Sequence, residues 1–126
     1  MMGTFNTLAE AFRYPAPGLL EVLETNQAHI AERQIQTSYT SFLRQTKTLS
    51  LAEWEELYTC TLDLSPAVAP YIGFQMWGEG YQRGSFMALM NHALQMEAIE
   101  TEGELPDHLI PVLRYLEVAA HPPAEL

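Results

Sequence analysis

Apolar residues recur along this chain at spacings of three and four, the period of amphipathic helices. Phe5, Leu8, Ala9 and Phe12 share one face of a short N-terminal helix. Tyr14-Pro15-Ala16-Pro17-Gly18 stops it, because proline lacks the backbone donor and restricts the residue before it. Leu19, Leu20 and Leu23 mark a second short helix that Thr25-Asn26 ends. From Gln27 to Lys47 there is no proline or glycine, and Ala28, Ile35, Tyr39, Phe42 and Leu43 form a sparse stripe. The spacing predicts one long helix there with a narrow buried face.

Ser50-Leu51-Ala52-Glu53 is a capping-box pattern, and Leu51, Trp54, Leu57, Tyr58, Thr61 and Leu62 behind it give a dense apolar face. Pro66 to Gly84 holds two prolines, four glycines and four aromatics, which predicts a structured loop with one short helical turn. A further helix is predicted from Arg83 to Ala98, using Phe86, Leu89, Met90, Ala93 and Leu94. Glu97 to Gly103 is an acidic hinge. Pro106 suits a first helical turn, so the last helix is predicted to start at Leu105-Pro106-Asp107-His108. Leu109, Leu113, Leu116 and Ala120 carry its stripe to His121-Pro122-Pro123. No strand-like alternation and no repeat is present. The fold class read from this pattern is all-α: one domain over residues 1–126, a single helical bundle of about five or six helices.

Composition narrows the function classes. Sixteen acids against six bases give −10, and residues 51–126 carry all of it, with twelve acids against Arg83 and Arg114. Such a surface repels phosphate backbones and anionic headgroups, so no nucleic acid is expected as a partner, and a basic segment is the natural counterpart. No long apolar run suggests membrane insertion, and the N-terminus lacks a basic and apolar leader, so the expected location is cytoplasmic. Cys60 is the only cysteine; beside Tyr58 and Leu62 it reads as a small buried thiol.

Catalytic chemistry finds little purchase. Gly78-Glu79-Gly80-Tyr81-Gln82-Arg83-Gly84 has the wrong glycine spacing for a nucleotide loop and reads as an inter-helix turn. No serine has a nucleophile-elbow context, no paired-histidine zinc motif exists, and no cofactor is called for. Glu104, Asp107 and His108 lie close together, with Glu104 and His108 spaced to share a helical face. They allow a metal-dependent enzyme as a competing reading, against the plainer one of acids meeting the positive end of a helix dipole. Met76, Met87, Met90 and Met96 read mainly as core filler, and Trp54, Leu57 and Tyr58 as either core or anchors for a bound helix.

Three segments resemble a known family. Trp54-Glu55-Glu56-Leu57-Tyr58 looks like the aromatic-x-x-Leu-aromatic motif of the redox-enzyme maturation chaperones. Leu57 to Pro66 is similar to the YxxTFDLSP-like stretch of the nitrate reductase delta-subunit branch, with Leu62 in place of the phenylalanine. Glu104-Leu105-Pro106-Asp107-His108-Leu109 matches the E-x-P-D-H-L signature throughout. Arg83-Gly84 and Ala11-Phe12-Arg13-Tyr14-Pro15 also fit the delta-subunit pattern, and the likeness runs from about residue 5 to 120 in a shortened form.

The resemblance implies an all-helical cytoplasmic chaperone rather than an enzyme. Its partner would be the N-terminal, twin-arginine-like signal peptide of the apo catalytic subunit of a molybdopterin-containing oxidoreductase. The peptide would be held until the molybdenum cofactor is inserted, before export or membrane docking. Carried over, the peptide-binding residues are Trp54, Leu57, Tyr58, Asp107 and His108, with Glu104 and Pro106 completing the signature. Asp107 and His108, at a helix start, are expected to face outward. A homodimer is the expected way for so short a chain to complete its bundle. The competing non-enzymatic reading is a generic acidic helical interaction or regulatory module.

Overall fold

A computed structural model describes residues 2–126. The described residues form seven α-helices and no strand, so the chain is all-α. They divide into two compact units, Met1–Ala69 and Pro70–Leu126, each with its own apolar core. This boundary redistributes the charge asymmetry seen in the sequence. The first unit carries eight acids against four bases and the second eight against two, so both are net acidic.

In the first unit, α1 (Thr4–Ala11) ends before the proline-rich segment, and α2 (Leu19–Thr25) starts after Gly18, whose φ of 86° suits a residue without Cβ. Leu19, Leu23, Ile30, Tyr39, Leu43 and Trp54 are the buried core. The Tyr39 hydroxyl donates to the Leu23 carbonyl at 2.8 Å, which satisfies it where water is excluded. Burial, and then the negative charge of Glu10, push the Tyr39 phenol up to about 12.

The long helix expected over Gln27 to Lys47 is broken. A 3₁₀ turn spans Gln27–His29, Ile30 is extended, and α3 covers only Arg33–Thr46. The hydroxyl of Thr4 donates to the His29 carbonyl and accepts from the Ala31 amide, at 3.1 and 3.0 Å. A tertiary side chain thus takes over backbone groups that a continuous helix would have paired, while Ile30 turns into the core.

Helix α4 (Leu51–Tyr58) begins with the complete capping box read from the sequence. The Ser50 hydroxyl accepts from the Glu53 amide at 3.1 Å, and Glu53 accepts from the Ser50 amide at 2.9 Å. That backbone hydrogen bond, with the hydroxyl contact, lowers the Glu53 carboxyl below its ordinary value. The helix then widens into a π turn over Thr59–Asp63, closed by the Leu64 amide donating to the Thr59 carbonyl at 3.0 Å. The apolar face expected to be buried is mostly open: Trp54 is buried, but Leu51 and Leu57 are exposed. Cys60, expected to be buried, is exposed on the π turn.

In the second unit, α5 (Ile72–Trp77) and α6 (Tyr81–Met96) are joined across Gly78 and Gly80, both at positive φ. The glycine-rich segment is therefore an inter-helix turn, as its composition suggests. Helix α7 (Leu109–Val118) starts later than expected, so Pro106 and Asp107 precede it and Ala120 lies beyond it. Phe86, Met90, Leu94, Val112 and Tyr115 form this unit's core. No helix among the described residues is long and apolar enough to cross a membrane.

Candidate functional site

The first unit contains an open apolar groove of about 490 Å³. Leu8, Ala11 and Phe12, on α1 and at its end, form one side, and Ile35, Ser38, Tyr39 and Phe42 of α3 another. Trp54, Leu57 and Tyr58 of α4, with Thr61 and Leu62 of the π turn, complete it. Ser38 and Thr61 are the polar exceptions, and no charged side chain lines the groove. Trp54 therefore serves both the core and the groove, whereas Leu57, 53% exposed, contributes to the groove without holding the core.

Helix α4 runs directly into the π turn, in which five residues complete what an α-helix completes in fewer. Thr61 and Leu62 are brought to the groove on this widened turn. Tyr58 is fixed from the opposite side. Its hydroxyl donates to the Phe12 carbonyl at 2.9 Å, and its ring meets that of Tyr14 edge-on, with centroids 5.3 Å apart. The Tyr14 hydroxyl in turn donates to Glu55 at 3.3 Å. The segment after α1 is thereby tied to α4.

The second sequence signature has a different character. Asp107 is fully buried and His108 is 2% exposed, so the expectation that these side chains face outward does not hold. Asp107 Oδ2 accepts from Arg83 Nε at 2.9 Å and from the Gly73 amide at 3.1 Å, while Oδ1 accepts from the second guanidinium arm at 3.2 Å. This two-pronged bond raises the Arg83 pKa above its ordinary value. Arg83 also lies 5.3 Å from the centre of the Tyr71 ring and 5.8 Å from that of Phe74. A Cβ on Gly73 would come within 2.7 Å of Asp107 Oδ2, so only glycine lets the backbone approach this carboxylate.

His108 caps α7: its Nδ1 accepts from the Ile110 amide at 3.0 Å. The expected helix-dipole role of Glu104 and Asp107 is thus replaced by a histidine cap, with Asp107 turned inward to a guanidinium. His108 Nε2 lies 3.8 Å from Glu104 Oε2, the two residues preceding the helix rather than sharing its face. The backbone here pairs with the start of α5, the Ile72 amide donating to the Asp107 carbonyl and the Leu109 amide to the Pro70 carbonyl. Glu104-Leu105-Pro106-Asp107-His108-Leu109 is a latch that ties α5, α6 and α7 together. Among the described residues, no group of three or more His, Cys, Asp or Glu side chains is placed to hold a metal ion.

No family model, curated protein or solved structure matches the chain.

Of the residues singled out in the sequence, Trp54, Leu57 and Tyr58 come together at one groove of the first unit. Glu104, Asp107 and His108 come together in the latch of the second. Phe12 and Phe42, core positions by their spacing, are groove walls. Nothing in the spacing along α1 and α3 separates a core position from a groove wall. Arg83, the partner of Asp107, stands out by its rarity, as one of two bases after residue 50.

Proposed function

We propose that the chain is a peptide-binding chaperone of the redox-enzyme maturation type, acting on the N-terminal signal peptide of an apo molybdopterin oxidoreductase subunit. The observation that carries this reading is the coincidence of the Trp54-x-x-Leu57-Tyr58 motif with an open, uncharged groove walled by three helices. A signal peptide supplies an apolar segment of the right chemistry for such a cleft, laid in as a helix whose anchors recur at i, i+3, i+4 and i+7. Binding needs no nucleophile and no metal, only burial of apolar surface at roughly 25 cal/mol per Å², less the cost of ordering the peptide.

Trp54, Leu57 and Tyr58 make the contacts in this reading. Asp107 and His108 act at one remove, by fixing the shape of the second unit, and Glu104 stands at the latch's partly exposed edge. Net acidity in both units favours association with a cationic peptide in the cytoplasm and makes it salt-sensitive.

The test is titration of the purified chain with synthetic N-terminal peptides of the host's molybdopterin oxidoreductase catalytic subunits, monitored by calorimetry. One client peptide saturates the wild type, and Leu57→Asp, which places a charge in the groove, lowers its affinity at least tenfold while preserving the helical circular-dichroism spectrum. If every such peptide fails to bind, or if binding is indifferent to Leu57→Asp, the reading is wrong.

A further inference from the structure

Helix α6 has sixteen residues, and the only Asp, Glu, Lys or Arg among them is Arg83, turned inward to Asp107 with its side chain 12% exposed. The solvent side is instead an uncharged stripe. Tyr81, Ser85, Ala88, Leu89, His92 and Met96 are all exposed, and their spacing puts them on one face. A surface helix ordinarily turns charge to water, and this one does not, in a chain of net charge −10. The two ends of the face differ in shape. At the N-terminal end an open cleft of about 280 Å³ is walled by Trp77, Tyr81, Phe86 and Leu89, with Ser85 also on its lining. Tyr81, 90% exposed, borders this cleft without filling it. At the C-terminal end Met96 stands out from the surface, 73% exposed. Tyr81 lies seven residues before Ala88 and Met96 seven after Leu89, so hole and knob are equidistant from the middle of the helix and about 22 Å apart at ~1.5 Å per residue.

We infer that this face docks a second copy of the chain, the two α6 helices antiparallel about a two-fold axis near Ala88, with Met96 of each copy in the cleft of the other. A two-fold contact requires a patch that is its own complement, and a hole and a knob at opposite ends of one face meet that requirement. A flexible thioether suits an irregular cleft walled by aromatic rings. Ala88, small and exposed at the centre, lets the helix axes approach to the usual separation of about 8–10 Å. The face offers an acidic or basic partner nothing to pair with, whereas a second copy buries no charge against it. Acids bound the stripe, Glu79 before α6 and Glu97 after it, and antiparallel packing brings those ends together. Self-repulsion therefore weakens the contact and salt strengthens it. A single helix pair makes a small interface, in the class below about 1,200 Å² that binds weakly and exchanges. Each unit already holds its own core, so the contact adds a surface rather than completing a bundle, and it is independent of the peptide-binding reading.

Sedimentation equilibrium of the full chain tests it. Between about 1 μM and 1 mM the average mass rises from one chain towards two, and raising the salt from about 0.05 to 0.5 M moves that rise to lower concentration. Ala88→Glu keeps a good helix former but sets two like charges at the crossing, and it remains a single chain with an unchanged helical circular-dichroism spectrum. Met96→Ala only trims the knob and moves the midpoint up by about fivefold or more. Leu57→Asp, in the groove of the first unit, associates as the wild type does. In a Cys60→Ser background, a short bis-maleimide joins Tyr81→Cys chains to Met96→Cys chains. The inference is overturned if the wild type stays a single chain at every concentration and salt, or if Ala88→Glu and Met96→Ala associate like wild type. It is also overturned if Leu57→Asp abolishes association, which would place the contact at the groove. Linkage of Met96→Cys chains to one another in place of the mixed pair overturns the antiparallel arrangement.

Discussion

Replacing Asp107 with alanine should open the second unit rather than merely trim a binding site. The carboxylate has no exposed surface, and Arg83 opposite it is only 12% exposed in its side chain. Removing the acid leaves a guanidinium largely cut off from water with two arms unpaired, and it also orphans the Gly73 amide. Breaking a buried pair in this one-sided way costs about 3–5 kcal/mol. Against a total of about 5–15 kcal/mol for a small domain, that is a large share of the stability. Native-state amide exchange of α6 and α7 reads it directly, since opening free energy sets protection there. At about 1.4 kcal/mol per tenfold, protection should fall by roughly two to nearly four orders of magnitude.

The double variant Asp107→Ala, Arg83→Met carries no lone charge and should recover part of the loss. If Asp107→Ala lowers protection less than about fivefold, or if the double variant is worse than the single, the latch is not held by this pair. The practical consequence concerns binding assays. Lost affinity in an Asp107 variant reports unfolding of the second unit unless the exchange pattern is intact.

Other contacts set three further outcomes. Tyr39→Phe should cost about 1 kcal/mol at neutral pH by leaving the Leu23 carbonyl unpaired. Because the folded phenol is raised from 10.0 to about 12, its stabilisation is complete below pH 10 and lost as pH climbs towards 12. Urea titrations should therefore show wild type losing up to about 2–3 kcal/mol more than Tyr39→Phe across that window, and parallel pH profiles would refute the assignment. Ser50→Ala should destabilise the first unit by about 1 kcal/mol at pH 7 through loss of the capping box. The Glu53 part of that box has a lowered carboxyl pKa, so it is present above the ordinary carboxylate pKa and lost as pH falls through the folded value; a variant midpoint gap unchanged at acid pH would contradict this. Gly73→Ala should lower the thermal midpoint of the second unit, because its methyl group would press on Asp107 and Arg83, and an unchanged midpoint would show that the latch is loose.

Much of the secondary structure is legible in the sequence because its signals are local. The capping box at Ser50 and Glu53, the stop at Pro15 and Pro17, and the paired glycines at 78 and 80 act through their own backbone geometry. The break at Ile30 is not legible, since Thr4 imposes it from 25 residues away and no proline or glycine marks it. The π turn is equally silent: Thr59 to Asp63 is an ordinary string for an α-helix, and its widening depends on tertiary surroundings.

The site residues divide along the same line. The spacing of Trp54, Leu57 and Tyr58 places them on one helix face, but only the structure shows that this face is largely open. Asp107 and His108 are expected to face outward because the sequence places them at a helix start. A single arginine 24 residues earlier, too distant to weigh in a local pattern, reverses that for Asp107.

The π turn also imposes a constraint on chain length. Because the five residues Thr59–Asp63 fill a turn that an α-helix closes with one fewer, deleting one of them would let the turn relax to α geometry with the downstream chain keeping its direction, whereas inserting one would swing that chain around the axis by about 100°. After such an insertion Leu62 would leave the groove, although every side chain that makes the site would still be encoded. The site is therefore specified by a count of residues as well as by their identities. A one-residue insertion at this turn should be more damaging to binding than a one-residue deletion.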